Sequence, residues 1–394
     1  MADTAHKTEE EKKEYFDSAE DLDVKVTQLA TWVRESRHFI AFTGAGISTS
    51  AGVPDYRSGY NTVLPTGPGA WEKKAQNKEA KKKQLRVAMH SAIPTPTHMA
   101  FVKLMEAGLL KFIVSQNVDG LHRKSGIDPI KLGEVHGNTN LEKCKRCGKE
   151  YMRDFRVRTA QKVHDHDTGR KCDNPECRGD LKDTIINFGE NLDDHILETA
   201  FHNGELADVC LAMGSSLRVT PAANIPESTG RNGGKLVIVN LQKTPLDGGA
   251  ALCIHAFCDT VMNMLMEKLE LPIPPFKLVR RVEFTKALKA PTGSATKKEC
   301  LTIRGVDIDG CPFSLFTQIV AEYPPNKPAT LKREPFLIAE DRLAPTIRLT
   351  LHFQGHYREP PLSMSLDTAS LSKKKYLLVY DPSSQSWENP APID

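Results

Sequence analysis

Polar side chains that can hold and move protons are concentrated in two nearby segments of the sequence. Ser115-Gln116-Asn117-Val118-Asp119 follows a short apolar run, and Glu134-Val135-His136-Gly137-Asn138 comes shortly afterwards. Within these segments, His136 is the side chain whose ordinary pKa suits proton abstraction near neutral pH. The sequence has no Gly-x-Ser-x-Gly elbow and shows no evident thiol nucleophile. We therefore expect His136 to act as a general base, although a single histidine is commonly a plain core or surface residue.

Two pairs of cysteines have the spacing of a metal site. The pairs are Cys144 with Cys147 and Cys172 with Cys177, separated by 24 residues. Two such pairs can present four thiolates tetrahedrally to one Zn²⁺. Because four protein ligands leave no open position, we expect a structural zinc that folds a small module with little core of its own. His164 and His166 lie in the intervening loop and are alternative ligands.

Three further elements could contact a dinucleotide, and each follows an apolar run. Gly44-Ala45-Gly46 comes after a predicted strand and opens a predicted helix, so its backbone N–H groups could approach a pyrophosphate. Gly214-Ser215-Ser216 ends the run 206–213, and Asn240-Leu241-Gln242 ends the run 235–240. An amide at the latter position can bond ribose hydroxyls. Asp55 and Arg57 follow the first glycine turn, where they could also form a plain surface ion pair.

The elements that must position these groups alternate between strands and helices. Strands are predicted at 109–115, 206–213 and 235–240, besides the one before Gly44, and helices at 23–36, 97–108 and 259–270. This alternation predicts an α/β fold with a parallel sheet covered on both faces.

The character of the sequence changes after a proline cluster at 272–275. Thr346–Phe353 alternates apolar and polar residues, and 313–320 and 376–380 also have the composition of strands. The predicted organisation is a polar lead-in over 1–25, a core over 26–270 containing a zinc module at about 139–183, a linker over 271–297 and a β-rich domain over 298–394.

Composition narrows the class of protein. The chain has 394 residues, of which 26% are charged and 39% apolar, and its net charge is +3. These values are typical of a soluble globular protein. No apolar run reaches the ~18 residues of a membrane span, so no membrane partner is expected. Nine cysteines, an odd number, favour a reducing compartment over a disulfide framework.

Taken together, the motifs resemble those of the sirtuins, which are NAD-dependent protein-lysine deacylases. The matching segments are GAGISTSAGVPDYRS at 44–58, SQNVDGLHRKSG at 115–126, VHGN at 135–138, the paired cysteines, INFGEN at 186–191, GSSLRVTP at 214–221 and IVNLQ at 238–242. The resemblance implies a Rossmann-like sheet with a zinc module held by four cysteines. IVNLQKTP and FCDTVM look most like the nuclear, chromatin-associated branch, so a nuclear location is expected, and otherwise a cytoplasmic one.

The resemblance also implies a role for each matching residue. His136 would be the general base, with Asn117 and Asp119 lining the nicotinamide pocket. NAD, as co-substrate, would be held by Gly44, Ala45, Gly46, Asp55, Tyr56, Arg57, Gln116, Asn117, Asp119, Gly214, Ser215, Ser216, Asn240, Gln242 and Cys258. Phe188-Gly189-Glu190 and Leu217–Pro221 would flank an extended acyl-lysine peptide. The implied products are free lysine, nicotinamide and O-acyl-ADP-ribose.

Other functions stay open from the sequence. NAD-dependent mono-ADP-ribosyl transfer to protein shares the cofactor chemistry, and a non-catalytic chromatin scaffold could bind NAD or ADP-ribose without turnover. The acyl-lysine substrate could be a histone or another nuclear protein. The segment 59–86, which follows the first glycine motif, is long for the family, and its part 72–86 is rich in lysine. That part is either a solvated helix face or a functional segment that contacts nucleic-acid phosphates or acts as a nuclear import signal.

Overall fold

A computed structural model describes residues 8–75, 89–160, 162–290, 296–323 and 328–393 of the chain. The chain forms two compact units. Unit 1 comprises Met1–Thr139, Gln161–Asp165 and Thr184–Pro275, and unit 2 comprises Asn140–Ala160, His166–Asp183 and Phe276–Asp394.

Among the described residues, helices and strands are mixed up to Lys268, and the elements after it are strands. In chain order, the α-helices are α1 (Glu9–Lys12), α2 (Ala19–Glu35), α3 (Ala70–Ala75), α4 (Pro96–Glu106), α5 (Leu121–Ser125), α6 (Asp194–Leu206), α7 (Asn224–Arg231) and α8 (Cys258–Lys268). The first ten strands are β1 (Phe39–Thr43), β2 (Leu110–Ser115), β3 (Leu132–Glu134), β4 (Leu141–Cys144), β5 (Glu150–Arg153), β6 (Asp167–Lys171), β7 (Asp180–Asp183), β8 (Val209–Met213), β9 (Lys235–Val239) and β10 (Leu252–Ile254). The remaining strands are β11 (Leu278–Lys289), β12 (Lys298–Val306), β13 (Phe313–Ser314), β14 (Phe316–Glu322), β15 (Ala329–Leu331), β16 (Phe336–Glu340), β17 (Thr346–Phe353), β18 (Leu362–Asp367), β19 (Lys373–Asp381), β20 (Ser386–Trp387) and β21 (Ala391–Ile393).

Unit 1 is built on a parallel sheet with strand order β10-β9-β8-β1-β2-β3. Side chains of the central strand β1 alternate between its two faces. Phe39 and Ala41 pack with α2, α4 and α8 on one face, while Ile40 and Phe42 pack with α6 and α7 on the other. Because both faces are covered, every residue of the two central strands β1 and β8 is buried. The predicted α/β fold with a parallel sheet is confirmed.

Unit 2 contains the cysteine pairs and the C-terminal β-rich region. The cysteine module has the strand order β13-β5-β4-β7-β6, in which β13 of the C-terminal region pairs in parallel with β5. Two antiparallel sheets form the rest of the unit, with the orders β16-β12-β11-β19-β20 and β15-β14-β17-β18. Their shared core includes the inward row of β17, which is Ile347, Leu349, Leu351 and Phe353. The predicted β-rich C-terminal region is confirmed.

Three local predictions are corrected by the structure. The range predicted as a linker contains the strand β11, whose inward row Leu278, Arg280, Val282 and Phe284 includes a buried arginine that interrupts the apolar alternation. The turn after β1 opens a 3₁₀ helix over Ala45–Ala51, where an ordinary helix was expected. Helix α2 begins at Ala19, inside the predicted lead-in, because Ser18 caps it by accepting from the Asp21 N–H at 3.0 Å. Among the described residues, no helix has both the length and the apolar character needed to cross a membrane.

Candidate active site

A cavity of about 610 Å³ lies at the carboxyl ends of the parallel strands in unit 1. Segments that directly follow β1, β2, β8 and β9 line it. Parallel strands direct their carboxyl ends toward one edge of the sheet, so loops from distant parts of the sequence meet there. The predicted site residues that line the cavity are Gly44, Ala45, Gly46, Asp55, Tyr56, Arg57, Gln116, Asn117, His136, Gly214, Ser215, Ser216, Asn240, Gln242 and Cys258.

The turns after β1 and β8 touch through their backbones. The Gly46 N–H donates to the Gly214 carbonyl at 2.8 Å, and the Gly44 N–H donates to the Met213 carbonyl at 3.0 Å. A Cβ atom on Gly214 would lie 2.7 Å from the Gly46 Cα, and Gly214 has a φ of +60°. Both turns therefore need glycine at this contact. The contact leaves a cradle bordered by backbone, in which the Gly44, Gly46 and Ile47 N–H groups already donate to carbonyl oxygens of the turns.

Arg57 adds positive charge to the same end of the cavity. Its Nη1 donates to the Ser216 hydroxyl at 2.9 Å, and its guanidinium lies 4.2 Å from the centroid of the Trp71 ring. Asp55 accepts from the Ser58 hydroxyl and from the Ser58 N–H. Burial raises the pKa of Asp55, although both Ser58 hydrogen bonds oppose that rise. A fixed guanidinium next to a hydroxyl is a suitable partner for phosphate oxygens.

Asn117 and Asp119 have different positions. Asn117 lines the cavity, and its Nδ2 donates to the Gly44 carbonyl at 3.1 Å and to the Ser48 hydroxyl at 3.3 Å. The Asp119 carboxylate is buried, where it accepts from the Ser48 hydroxyl at 2.7 Å and from the Leu121 N–H at 2.9 Å. Asp119 is therefore not part of the cavity wall, in contrast to the expectation from sequence. It holds Ser48, which in turn receives the Asn117 amide.

The His136 imidazole lines the cavity in a defined tautomer. Its Nδ1 lies 3.0 Å from the Gln116 carbonyl oxygen, and because a carbonyl only accepts, Nδ1 carries the proton and Nε2 keeps its lone pair. Burial lowers the pKa of His136, and the hydrogen bond to Gln116 opposes this in part. The ring is thus neutral at pH 7. The side chain of Gln116 is itself held, since its Oε1 accepts from the Ser215 hydroxyl at 2.6 Å.

Amides and a thiol line the cavity beyond β9. Asn240 Nδ2 donates to the Gln242 carbonyl at 2.7 Å, and Gln242 Nε2 donates to the Lys12 carbonyl at 3.2 Å. Cys258 is the first residue of α8, and burial raises the pKa of its thiol to about 12. A thiol of that pKa is protonated at neutral pH, which is consistent with the prediction that the protein uses no cysteine nucleophile.

The two segments assigned to a peptide substrate both reach the cavity. Phe188, Gly189 and Glu190 line it, as do Val219, Thr220 and Pro221. Leu217, which was predicted to flank the peptide, is buried in the core and does not line the cavity. The Phe188 ring makes an edge-on contact with Trp71 at 5.5 Å between centroids.

Sequence reasoning missed several residues of the cavity wall. Trp71 lines the cavity and contacts both Arg57 and Tyr56, the latter ring at 4.9 Å. Glu14 and the segment 63–65 line it as well. An aromatic residue within the loop that follows the first glycine motif is a signal that could have identified Trp71. Glu14 lies in the polar lead-in, where no pattern distinguishes it.

The four paired cysteines of unit 2 come together. Their Sγ atoms all lie within 4.8 Å of one another, with 3.6 Å between Cys144 and Cys177 and 3.7 Å between Cys147 and Cys172. A tetrahedron with Zn–S bonds of ~2.3 Å has edges of about 3.8 Å, so the donor set fits Zn²⁺. His166 Nδ1 donates to the Asp183 carboxylate at 2.9 Å, and His166 is not part of the cluster.

Comparison with known proteins identifies relatives over most of the chain. A family model described as the Sir2 family matches residues 44–221. An NAD-dependent protein deacetylase SRT1 of Oryza sativa subsp. indica is 40% identical over 336 residues, 83% of this chain and 65% of that protein. The protein of the same name from Arabidopsis thaliana is 38% identical over 88% of this chain and 71% of its own length. The chain thus spans slightly under two thirds of the rice relative.

Two further matches have lower sequence identity to this chain. An NAD-dependent protein deacetylase Sirt6 of Drosophila melanogaster is 36% identical over 67% of this chain and 81% of its own length. A solved structure described as Sir2-p53 peptide-NAD+ is 33% identical over 62% of this chain and 99% of its own, with a TM-score of 0.47. On the extent and identity of the plant and insect matches, the chain belongs to the Sir2 family.

Proposed function

We propose that this chain is an NAD-dependent protein-lysine deacylase that releases nicotinamide and transfers the acyl group to ADP-ribose. The observation that carries the proposal is the neutral His136 imidazole, whose Nε2 is free to accept a proton in a cavity that also contains the glycine cradle. The names of the plant and insect relatives, all NAD-dependent protein deacetylases, support the same activity.

The residues of the cavity fit a dinucleotide. A side chain on Gly44, Gly46 or Gly214 would overlap neighbouring backbone, with contacts of 2.6–2.7 Å. The Arg57 guanidinium there would hold the pyrophosphate, and Asn240 and Gln242 would border the adenosine end. NAD supplies a sugar carbon from which nicotinamide can depart and a neighbouring ribose hydroxyl whose oxygen can take up the acyl group.

The role we assign to His136 follows from its tautomer. Nε2 takes a proton from a ribose hydroxyl, so that this oxygen can attack the activated acyl carbon, and the Gln116 carbonyl stabilises the resulting imidazolium through Nδ1–H. Asn117 lines the nicotinamide end, oriented by Gly44 and by Ser48, which Asp119 holds. Trp71 and Phe188 contribute apolar surface to the cavity wall. No enzyme nucleophile is required.

The four-cysteine cluster of unit 2 supplies structure and no catalysis in this proposal. Four thiolates complete a tetrahedral site, so a bound zinc would have no position for substrate. The cysteines hold strand β4 and the loops around β6 together, in a module whose own buried apolar cluster is small.

The direct test incubates the full chain with NAD and an acetyl-lysine peptide and follows the products by mass spectrometry. We expect nicotinamide, free lysine peptide and O-acetyl-ADP-ribose in equal amounts. His136→Ala should lower turnover by about 10²–10⁴-fold, while the affinity for ADP-ribose, measured by calorimetry, stays near that of the wild type. A variant that keeps most of the turnover would refute the role of His136.

The same assay separates the two alternatives. Transfer of label from NAD onto protein, without O-acetyl-ADP-ribose, would favour mono-ADP-ribosyl transfer. Binding of ADP-ribose without any nicotinamide release would favour a scaffold. We favour turnover, because a scaffold has no need of a neutral histidine with an unprotonated Nε2 in its cavity.

For the substrate and location we propose a histone or another nuclear protein. The support is the likeness of IVNLQKTP and FCDTVM to the chromatin-associated branch. Of the segment 72–86, the described residues end at Ala75. The nucleic-acid contact predicted there thus falls largely outside the described residues and stays a prediction.

A further inference from the structure

A carboxylate from the N-terminal segment stands at the end of the cavity that the proposed function assigns to adenosine. Glu14 lines the cavity together with Asn240 and Gln242. Its backbone forms an antiparallel bridge with Gln242, and the N–H of Tyr15 donates to the Leu241 carbonyl at 2.9 Å. The segment that carries Glu14 is therefore fixed against the loop after β9.

The Glu14 side chain is oriented but not saturated. Its Oε1 accepts from the Thr62 hydroxyl at 2.6 Å, and its Oε2 accepts from the Val63 N–H at 3.0 Å. A carboxylate has about four lone-pair sites in total, so each oxygen has room for one further donor. The Glu14 side chain is thus held in place and can accept a hydrogen bond from each of two hydroxyl groups.

A second carboxylate, that of Asp55, lies near enough to Glu14 and to the Arg57 guanidinium to interact with both charges. Asp55 also lines the cavity, and its pKa is raised chiefly by burial and further by the negative charge of Glu14. The amide groups across from Glu14 donate elsewhere, since Asn240 Nδ2 bonds the Gln242 carbonyl and Gln242 Nε2 bonds the Lys12 carbonyl. Glu14 accordingly offers this end of the cavity a charged acceptor for the hydroxyl groups of a bound sugar.

We propose that Glu14 determines the dinucleotide specificity of the site. Its carboxylate accepts hydrogen bonds from the hydroxyl groups of the adenosine ribose and disfavours a dinucleotide that carries a 2′-phosphate. This inference rests on the proposed function. An acidic side chain that binds the ribose hydroxyls is a known solution in dinucleotide folds, where it follows the glycine turn along the chain. Here the acid comes from the segment that precedes the first strand. A 2′-phosphate has no hydroxyl to donate and brings like charge against Glu14.

The test measures binding, so it does not depend on catalysis. The full chain and Glu14→Gln are titrated by calorimetry with ADP-ribose and with 2′-phospho-ADP-ribose. Glutamine keeps the shape of the side chain and an oxygen for the Val63 N–H, but removes the charge. We expect the affinity for ADP-ribose to fall about 10-fold, and the preference of the wild type for ADP-ribose over the phosphorylated ligand to shrink about 100-fold.

Two control variants separate charge from loop anchoring. Thr62→Val removes a donor to Glu14 without changing the charge, so it should weaken both ligands by a similar factor and leave their ratio unchanged. Glu11→Gln removes a negative charge from the same segment, but Glu11 pairs with Arg218 at 3.3 Å and does not line the cavity. It should leave both affinities unchanged.

The outcomes distinguish this inference from the proposed function. If the wild type binds no ADP-ribose, the proposed function and the role of Glu14 both fail. If it binds ADP-ribose but Glu14→Gln keeps the wild-type ratio of affinities, or Thr62→Val changes that ratio as much as Glu14→Gln does, only the role of Glu14 is overturned.

Discussion

The contact between the two glycine turns can be tested by adding one methyl group. Gly214→Ala places a Cβ 2.7 Å from both the Gly46 Cα and the Ile47 nitrogen, atoms of backbone that cannot rotate away. The turn after β8 must then move from the turn after β1, which widens the cradle. We expect the variant to fold with reduced stability and to lose affinity for ADP-ribose.

The expected loss of stability has two parts. An alanine at the φ of +60° that Gly214 adopts costs about 1–2 kcal/mol relative to glycine. Overlap of the new methyl with packed backbone costs about 1–3 kcal/mol more. The free energy of unfolding should therefore fall by about 2–5 kcal/mol.

Gly233→Ala is the matched control for the first part. Gly233 is also in unit 1 and has a φ of +84°, but an added Cβ would meet nothing within 4 Å. This variant should lose only about 1–2 kcal/mol and bind ADP-ribose as the wild type does. Denaturant unfolding and calorimetry of both variants check the pair of expectations. Equal destabilisation of the two variants, or unchanged ADP-ribose binding by Gly214→Ala, would show that the close approach of the turns has no part in the site.

Two further predictions concern protons and metal. Burial lowers the pKa of His136 below the usual 6.5. The imidazole therefore stays deprotonated when the pH falls to 6.5, and kcat/KM for NAD should decline only below pH 6.5. An acid limb centred above 6.5 would contradict the assigned environment. For the metal, Cys147→Ser should abolish the one zinc per chain that atomic absorption is expected to find, and should disturb the near-UV circular dichroism of unit 2. Cys311→Ser, which changes a thiol outside the cluster, should keep the zinc, and equal zinc contents of both variants would contradict the assignment of the four cysteines as ligands.

The sequence predicted strands best where one periodic pattern was uninterrupted. Strand β17 has the predicted bounds because Ile347, Leu349, Leu351 and Phe353 alternate with polar residues and face one core. Strand β11 was missed because Arg280 occupies an inward position. Its guanidinium is buried between Asp154 at 2.8 Å and Glu359 at 3.3 Å, partners that lie far away in the sequence and make a buried charge acceptable.

The residues of the candidate site also differ in whether the sequence alone could predict them. Residues that directly follow a strand, such as Gln116 and Ser215, were predictable because a parallel sheet fixes where strands end. Glu14 and Trp71 were not, because they enter the cavity through tertiary contacts of a lead-in and a loop. Asp119 lies in a recognisable motif, but the sequence does not show where its carboxylate points. In the structure that carboxylate accepts a hydrogen bond from the Ser48 hydroxyl.

Within unit 2, strand β13 of the C-terminal region pairs with the cysteine module and supports it. A short strand edge such as that of β5 exposes unpaired backbone groups, and β13 covers it, with the Met152 N–H donating to the Pro312 carbonyl at 2.8 Å. Side chains extend this contact, since Arg304 lies 3.7 Å from Asp173, which accepts from the Tyr151 hydroxyl at 2.7 Å.

The same Tyr151 hydroxyl lies 3.1 Å from the Cys172 thiol. A chain of contacts thus leads from the C-terminal strands to a metal ligand. The cysteine module has only a small apolar cluster of its own, so we expect zinc and these contacts both to contribute to its stability. For that reason the β-rich region is better understood as part of the support of the cysteine module than as an independent appendage.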